Sequence, residues 1–325
     1  MKLLLPPAYV SQAAADMRNA TTRIFLMSMV IADHPATHEL IAELEAAARR
    51  GVPVTVCADV FTYGEVSGSY LPIKYYSANS RLATKMSKRL RSAGVTFHWL
   101  GRARSSVFTG RTHDKWCVID DTSYTFGGVN MYEGGIANID YMFKAENNPR
   151  LADRLGREQE RIMKAERTAS NYPSVTFALG EDKLLIDGGI VTKSVIYRRA
   201  CELGREAEEV IFVSQYGPTG KLARILKSKP TQFYFNRAEQ AEFINRVMLK
   251  IGSLFSGIKT IYTKKEYLHA KFIIFTMPDG SKRAITGSHN FAYTGVLFGT
   301  REVALETKDP KVISQLEKFL GEYVA

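Results

Sequence analysis

Two short stretches of the chain each place a histidine two residues before a lysine at the start of an apolar run. His113 and Lys115 precede Trp-Cys-Val-Ile, and His269 and Lys271 precede Phe-Ile-Ile-Phe. In a β-strand, alternate side chains lie on one face, so each histidine and its lysine would point into the same cleft. Imidazoles supply nucleophilic and acid–base chemistry, and ammonium groups stabilise negative charge. The pattern therefore predicts an active site built from two such pairs.

A turn and a second β-favouring run follow each apolar run, so each motif predicts a β-hairpin. Both hairpins close with the pattern Gly-x-x-Asn, through Gly127, Gly128 and Asn130 in the first copy and Gly287, Ser288 and Asn290 in the second. A single His-x-Lys pair arises easily by chance. Two copies with the same continuation indicate a repeated structural unit.

The two copies resemble the signature of the phospholipase D superfamily, His-x-Lys-x4-Asp-x6-Gly-(Gly or Ser)-x-Asn, which occurs twice in one chain. The first copy, from His113 through Asp120 to Asn130, matches without a gap. In the second copy Thr276 stands at the Asp position, and the hairpin is four residues longer. Within the superfamily the chain is most similar to bacterial cardiolipin synthases and related phospholipid phosphatidyltransferases, through Gly-Gly-Val-Asn in the first motif and Leu-His-Ala-Lys in the second.

The resemblance implies a role for each residue of the motifs. The catalytic residues would be His113, Lys115, His269 and Lys271, and the phosphate-binding residues would be Asn130, Asn290, Gly128 and Ser288. One imidazole attacks phosphorus and forms a phosphohistidine, while the other protonates the leaving oxygen. We assign His113 as the nucleophile because its motif is complete. The lysines would stabilise the phosphate oxygens in place of a metal ion, so neither a metal nor a cofactor is expected.

Three carboxylates complete the predicted site. Asp140 follows His113 by 27 residues and Glu302 follows His269 by 33, so each half supplies one carboxylate at an equivalent place. Such a carboxylate is suited to orienting an imidazole through its second ring nitrogen. Asp120 belongs to the first motif itself, and its expected role is structural.

Composition restricts the partners. The 325 residues carry a net charge of +11, which favours anionic partners: a phospholipid surface or nucleic acid. A nuclease or phosphodiesterase of the same superfamily, or a non-catalytic module that binds anionic surfaces, are the alternatives to a phospholipid enzyme. The three cysteines lie far apart and imply no disulfide framework, which predicts a cytoplasmic protein. No apolar run approaches the roughly 20 residues of a membrane helix, so a lipid substrate would be reached from the membrane surface.

Alternating apolar runs and helical patterns predict an α/β fold with an internal duplication. We expect two pseudo-symmetric halves, 1–170 and 171–325, each a mixed, mostly parallel sheet flanked by helices, with the active site at their interface. The charged helix at 149–168 would link them.

The first half carries an irregular insert at 61–93, rich in tyrosines and basic residues. Lys85, Lys88 and Arg89 could form part of a rim that meets anionic lipid headgroups or a nucleic-acid strand. His34, His38 and His98 are interpreted as loop, exposed-helix and core histidines. His289 occupies the variable position of the second motif, and we assign it no catalytic role.

Overall fold

The computed structural model describes residues 1–67, 78–101, 110–240, 246, 249 and 256–325. The helices in these ranges are α1 (Pro6–Arg18), α2 (His38–Arg49), α3 (Phe61–Ser67), α4 (Ala78–Ser92), α5 (Glu133–Ala137), α6 (Pro149–Arg167), α7 (Val195–Glu206), α8 (Gly220–Lys227), α9 (Tyr293–Phe298) and α10 (Pro310–Phe319). A 3-10 turn at Ala238–Gln240 and a π-helical turn at Leu320–Val324 complete the helical segments.

The strands fall into two consecutive groups. Those before α6 are β1 (Lys2–Leu4), β2 (Ile24–Ser28), β3 (Val54–Asp59), β4 (Thr96–Leu100), β5 (Trp116–Ile119), β6 (Thr122–Thr125) and β7 (Met142–Ala145). Those after α6 are β8 (Val175–Leu179), β9 (Asp182–Gly188), β10 (Glu209–Val213), β11 (Thr231–Tyr234), β12 (Phe272–Thr276), β13 (Lys282–Gly287) and β14 (Arg301–Thr307). The two predicted hairpins are β5–β6 and β12–β13.

Helix ends follow ordinary capping chemistry. The side chain of Asn148 accepts a hydrogen bond from the Leu151 amide and starts α6, and that of Ser194 accepts one from the Tyr197 amide and starts α7. Each cap satisfies an amide that would otherwise lack a partner in the first turn. The Asp309 side chain caps α10 in the same way.

Each strand group forms one sheet of the described part of the chain. The first sheet has the order β1-β7-β6-β5-β2-β3-β4, and the second has the order β11-β10-β12-β13-β14-β9-β8. When the second order is reversed, β14, β13, β12, β10 and β11 occupy the positions of β7, β6, β5, β2 and β3, and β9 that of β1. The hairpin that carries the His-x-Lys motif lies near the centre of each sheet.

The expectation of mostly parallel sheets is wrong, although the two-half α/β fold is confirmed. Within the described residues, the parallel pairs are β2–β3, β3–β4 and β10–β11, and all other pairs are antiparallel. The types of connection between the strands explain the difference. Helical crossovers make parallel neighbours only around α2, α4 and α8, whereas the motif hairpins and the strands after them connect by short turns, which give antiparallel pairs.

A central hydrophobic core joins the two sheets. It contains Trp116 and Phe143 from the first sheet and Phe272 and Val303 from the second, together with side chains of α6 and α10. The outer face of the first sheet packs against α1, α2 and α4, and that of the second against α7 and α8. Helix α6 is therefore part of the core rather than a free connection, and its Gln159 side chain accepts a hydrogen bond from Trp116 Nε1 at 2.8 Å.

The insert at 61–93 contains α3 and α4, and residues 68–77, including Tyr70, Lys74, Tyr75 and Tyr76, lie outside the described residues. Tyr63 is buried and packs on Trp99, with 5.0 Å between ring centroids. Lys85 and Lys88 are exposed, but the Arg89 guanidinium forms ion pairs with Asp33 and Glu45. Only the two lysines of the predicted basic set are thus available to a partner. None of the described helices is both long and apolar enough to cross a membrane.

Candidate active site

Backbone pairing between the halves brings the two motifs together. The His113 amide donates to the Arg301 carbonyl at 2.9 Å, and the Arg301 amide donates to the Arg111 carbonyl at the same distance. The symmetric contact in the other direction joins the His269 amide to the Ile139 carbonyl at 2.9 Å. His113 therefore lies beside the start of β14, and His269 lies beside the segment that leads into β7.

The residue that follows each of these backbone partners is a predicted carboxylate, and the two carboxylates serve the histidines crosswise. His113 Nδ1 lies 2.9 Å from Glu302 Oε2, and His269 Nδ1 lies 2.7 Å from Asp140 Oδ2. In each pair the ring donates its Nδ1 hydrogen to the carboxylate, which leaves the Nε2 lone pair of a neutral ring available. The predicted carboxylates are thus both next to imidazoles, each from the opposite half.

Gly128 and Ser288 contact these carboxylates. The Gly128 amide donates to Asp140 Oδ1 at 3.2 Å, and a Cβ on Gly128 would lie 2.6 Å from Asp140 Oδ2. The Ser288 hydroxyl donates to Glu302 Oε2. Equivalent positions in the two motifs therefore hold equivalent carboxylates. Phosphate binding by Gly128 and Ser288 stays a prediction; the side-chain partners that the structure shows for them are the two carboxylates.

The two motif lysines are buried, and each contacts the backbone of the histidine in its own motif. Lys115 is 1 % exposed and Lys271 is 0 % exposed. Lys115 Nζ donates to the His113 carbonyl at 2.7 Å, and Lys271 Nζ donates to the His269 carbonyl at 2.5 Å. Burial lowers the pKa of Lys115 to about 8 and that of Lys271 to about 7. An anionic phosphoryl group beside these amines would favour their charged forms.

Burial also lowers the pKa values of the two motif imidazoles. It lowers the pKa of His113 to about 4 and, with the charge of Lys271 as a second cause, that of His269 to about 3. For Glu302, burial is outweighed by His113, and its pKa falls to about 2. At neutral pH the free protein therefore holds two neutral imidazoles, each on an ionised carboxylate.

Both histidines line one open cavity of about 650 Å³ between the halves. Asn130 and Asn290 line it as well, as the resemblance implies. Asn130 Oδ1 accepts from the Val30 amide at 3.4 Å, whereas the buried Asn290 Oδ1 has no partner among the described residues. The cavity is large enough for a phosphodiester with its attached groups.

Asp120 lies outside this cavity and organises the turn before β2. Its carboxylate accepts hydrogen bonds from the amides of Thr21, Thr22 and Arg23, and from the hydroxyls of the two threonines. These bonds outweigh burial and lower the pKa of Asp120 to about 2. Asp120 itself has a positive φ of 49°. Its contacts are those of a structural residue.

His289, which has no predicted catalytic role, also lines the cavity. Its Nδ1 accepts a hydrogen bond from the Phe291 amide at 2.8 Å, so the neutral ring carries its hydrogen on Nε2. The equivalent position in the first motif is Val129, which is buried. The sequence signal for a place in the cavity was this difference between the motifs, a polar His289 where the first copy has the apolar Val129.

Among the remaining histidines, His34 lines the cavity and its Nε2 lies 3.1 Å from Glu133. His38 is exposed and lies 2.8 Å from Asp33. His98 is half-buried in β4. The last two have no contact with the cavity.

Comparison with known proteins supports the same interpretation of the motifs. A family model described as "Cardiolipin synthase, PLD-like domain" matches residues 14–163, which include the first His-x-Lys motif. No protein of curated function matches the sequence.

Two solved structures share the fold at low sequence identity. Phosphatidylserine synthase from Haemophilus influenzae Rd KW20 is similar with a TM-score of 0.73 at 14% identity, over 100% of this chain and 86% of that one. Polyphosphate kinase from Porphyromonas gingivalis is similar with a TM-score of 0.60 at 14% identity, over 98% of this chain and 46% of that one. The doubled signature, the family model over residues 14–163 and the shared two-half fold are together consistent with the phospholipase D superfamily.

Proposed function

We propose that the chain is a phospholipase D-type enzyme that hydrolyses or transfers phosphatidyl groups of phospholipids through a phosphohistidine intermediate. The observation that carries the proposal is the pair of imidazoles in one cavity, each bonded through Nδ1 to a carboxylate of the opposite half. Two opposed imidazoles meet the needs of in-line displacement at phosphorus, which requires a nucleophile on one side and a proton donor on the other.

In the first step His113 Nε2 attacks phosphorus and forms the N–P bond. The P–O bond to the leaving group breaks, and the leaving oxygen takes a proton from His269 Nε2. In the second step the neutral His269 accepts a proton from water or an alcohol, whose oxygen attacks phosphorus and displaces His113. Water gives hydrolysis, and an alcohol gives transfer.

The substrate raises the proton affinity of the acid. Both imidazoles are neutral in the free protein at pH 7, but a bound phosphodiester anion favours the imidazolium form of the ring nearest its leaving oxygen. Lys115 and Lys271, next to the motif histidines, would stabilise the charge that develops on the non-bridging oxygens. In this mechanism the two ammonium groups take the part that a metal ion plays elsewhere.

Two observations favour a phospholipid over nucleic acid. The apolar side chains of Leu82 and Phe298 line the cavity and are also exposed. Glu133, whose side chain is 72 % exposed, lines the cavity too, and its carboxylate would repel a polyanionic strand threaded through it. The full-length similarity in fold to a phosphatidylserine synthase and the family model of a cardiolipin synthase domain are consistent with this choice.

We further propose that 1–170 and 171–325 are the duplicated units and that the protein works at a membrane surface. The test of function is incubation of the pure protein with phosphatidylglycerol vesicles and, separately, with single-stranded DNA. We expect a lipid product, either phosphatidic acid or a transphosphatidylated lipid, and intact DNA, with no turnover by a His113→Ala, His269→Ala double variant. Cleavage of DNA with no lipid product would identify a nuclease instead.

A further inference from the structure

Helix α9 lies between two cavities. Thr294, Gly295 and Phe298 line the catalytic cavity, whereas Tyr293 and Val296 line a second cavity of about 670 Å³. The helix is short and both cavities are open to solvent. A ligand or surface that contacts α9 from the solvent side therefore lies next to both cavities.

Exposed apolar side chains gather at this place. Leu297 is 44 % exposed, Phe298 38 % and Val191 49 %; Val191 lies next to α9, because the Thr192 amide donates to the Val296 carbonyl at 2.9 Å. Leu82, 50 % exposed, lines the catalytic cavity from α4 of the first half. Large apolar side chains that are exposed as a group, rather than singly, mark interaction sites.

The second cavity is basic. Its lining includes four cationic side chains, Lys193, Arg198, Arg205 and Lys221, and one carboxylate, Glu202. All four cationic residues are exposed, and Arg198 lies 3.7 Å from Glu202. After that pairing the cavity keeps a net positive charge. Clusters of lysine and arginine beside apolar side chains are typical of surfaces that bind anionic headgroups.

We propose that α9 and its surroundings dock onto an anionic phospholipid bilayer. Leu82, Val191, Leu297 and Phe298 enter the interface between headgroups and acyl chains, and the basic cavity beside α9 takes the phosphate of a lipid that is not being turned over. The choice of a lipid rests on the proposed function. Docking in this orientation turns the mouth of the catalytic cavity toward the membrane, so a headgroup can reach His113 and His269 without leaving the bilayer.

The apolar part is tested with two variants that leave the catalytic cavity lining untouched. Val191→Ser with Leu297→Ser removes two exposed apolar side chains beside α9. Ile261→Ser with Tyr323→Ser removes two that are 52 % and 36 % exposed and line neither cavity. In flotation with phosphatidylglycerol vesicles we expect about tenfold weaker binding by the first variant and unchanged binding by the second. Equal binding by the two variants would overturn the proposal.

The basic part has its own matched pair. Lys193→Ala with Lys221→Ala removes two charges from the second cavity, and Lys259→Ala with Lys311→Ala removes two exposed charges elsewhere. The first variant should lose about tenfold in vesicle binding at low salt, with a smaller loss at high salt, and the second should lose much less. Wild-type binding that is equally strong to phosphatidylcholine vesicles, or single-stranded DNA that displaces the vesicles through Lys193 and Lys221, would contradict a lipid-headgroup site.

Turnover of a dispersed short-chain phosphatidylglycerol separates this proposal from the proposed function. The docking variants should keep wild-type kcat/KM on that substrate and lose activity only on vesicles. Vesicle binding with the expected pattern but no turnover of either lipid would leave docking intact and refute the function. Turnover of both lipids with no difference between docking and control variants would refute docking and leave the proposed function intact.

Discussion

His113 is hydrogen-bonded to Glu302, 189 residues later, and His269 is hydrogen-bonded to Asp140, 129 residues earlier. Neither motif histidine therefore takes its carboxylate from its own half of the chain. The cause is the backbone pairing of His113 with Arg301 and of His269 with Ile139, since each partner immediately precedes a carboxylate. The site is formed only when the halves are docked.

The crossed pairs predict which histidine each carboxylate controls. Glu302→Gln should change the titration of His113, and Asp140→Asn that of His269, because each removes the charge bonded to that ring's Nδ1. Each change should lower kcat by roughly 10²- to 10⁴-fold, as expected for loss of an imidazole-orienting carboxylate. NMR titration of histidine-labelled protein provides the measurement.

Glu306→Gln is the matched control, because Glu306 lies on the same strand and pairs with Arg199 and Lys183 instead of a histidine. This change should leave both histidine titrations in place, even if it lowers stability. A response of His269 to Glu302→Gln, with His113 unaffected, would refute the crossed arrangement.

Much of this site follows from sequence, because its chemistry is encoded locally. The His-x-Lys spacing, the apolar run and the closing Gly-x-x-Asn place two imidazoles on hairpins, and the structure brings His113 and His269 to one cavity. The equivalent spacing of Asp140 and Glu302 also predicted two carboxylates near imidazoles. Strong local patterns of this kind are the most reliable part of a sequence-based prediction.

What depends on pairing between distant segments could not be predicted. The crossed partners arise from contacts between Thr112 and Arg301 and between Ile139 and Leu268, for which no local pattern exists. The edge strands β1 and β8 and the neighbouring strand β9 also escaped prediction, as did the predominance of antiparallel pairs, because strand order is decided by the whole sheet.

The pH dependence of catalysis should differ between free enzyme and complex. The pKa of His113 is about 4 and that of His269 about 3 in the free protein, so the protonated acid is lost as pH rises through these values. We therefore expect kcat/KM, which reports the free enzyme, to fall with pH from the acid side of neutrality. In the complex the phosphodiester anion raises the pKa of the acid, so the alkaline limb of kcat should lie at higher pH.

Rates measured from pH 4 to 9 on a dispersed substrate test this order. Because the two imidazoles interact, each limb belongs to the pair rather than to one residue. A kcat/KM that stays flat from pH 4 to 7, a kcat that falls as early in pH as kcat/KM does, or a flat kcat profile with chemistry shown to be rate-limiting, would count against paired histidines.

Activity should survive excess chelator. Lys115 and Lys271 lie next to the motif histidines, and their ammonium groups can stabilise the phosphoryl oxygens in the proposed mechanism. Turnover in EDTA should equal turnover in buffer, and Lys115→Met or Lys271→Met should lower kcat by roughly 10²-fold or more. Loss of activity in EDTA that a divalent ion restores would refute the metal-free mechanism.

Asp120 should matter for stability and not for chemistry. Its carboxylate accepts bonds from Thr21, Thr22 and Arg23, so Asp120→Ala should lower the free energy of unfolding by roughly 1–3 kcal/mol. Asp120→Asn should cost less, because asparagine tolerates the positive φ and keeps an acceptor. Asp121→Ala, at the exposed next position, is the control and should have little effect. A large loss of kcat in fully folded Asp120→Ala would place this residue in the catalytic machinery instead.

The two histidines should divide the work unequally although their surroundings are nearly symmetric. We assign the nucleophile to His113, whose tight hairpin is anchored by Asp120 to the turn before β2. Its counterpart His269 sits in the longer hairpin, in which Thr276 stands at the Asp position. The nucleophile must keep its Nε2 in line with phosphorus through two steps, so the more firmly held ring is the better candidate.

Covalent labelling separates the roles. His113→Ala should abolish the phosphohistidine, whereas His269→Ala should still form it slowly from a nitrophenyl phosphodiester, because a good leaving group departs with little protonation. Acid-quench labelling and peptide mapping should therefore find the phosphoryl group on His113 in the wild type and in His269→Ala. The same His269→Ala variant should be far slower with a lipid, whose alkoxide leaving group needs the proton. Label on His269 in the wild type, or label that survives in His113→Ala, would reverse the assignment.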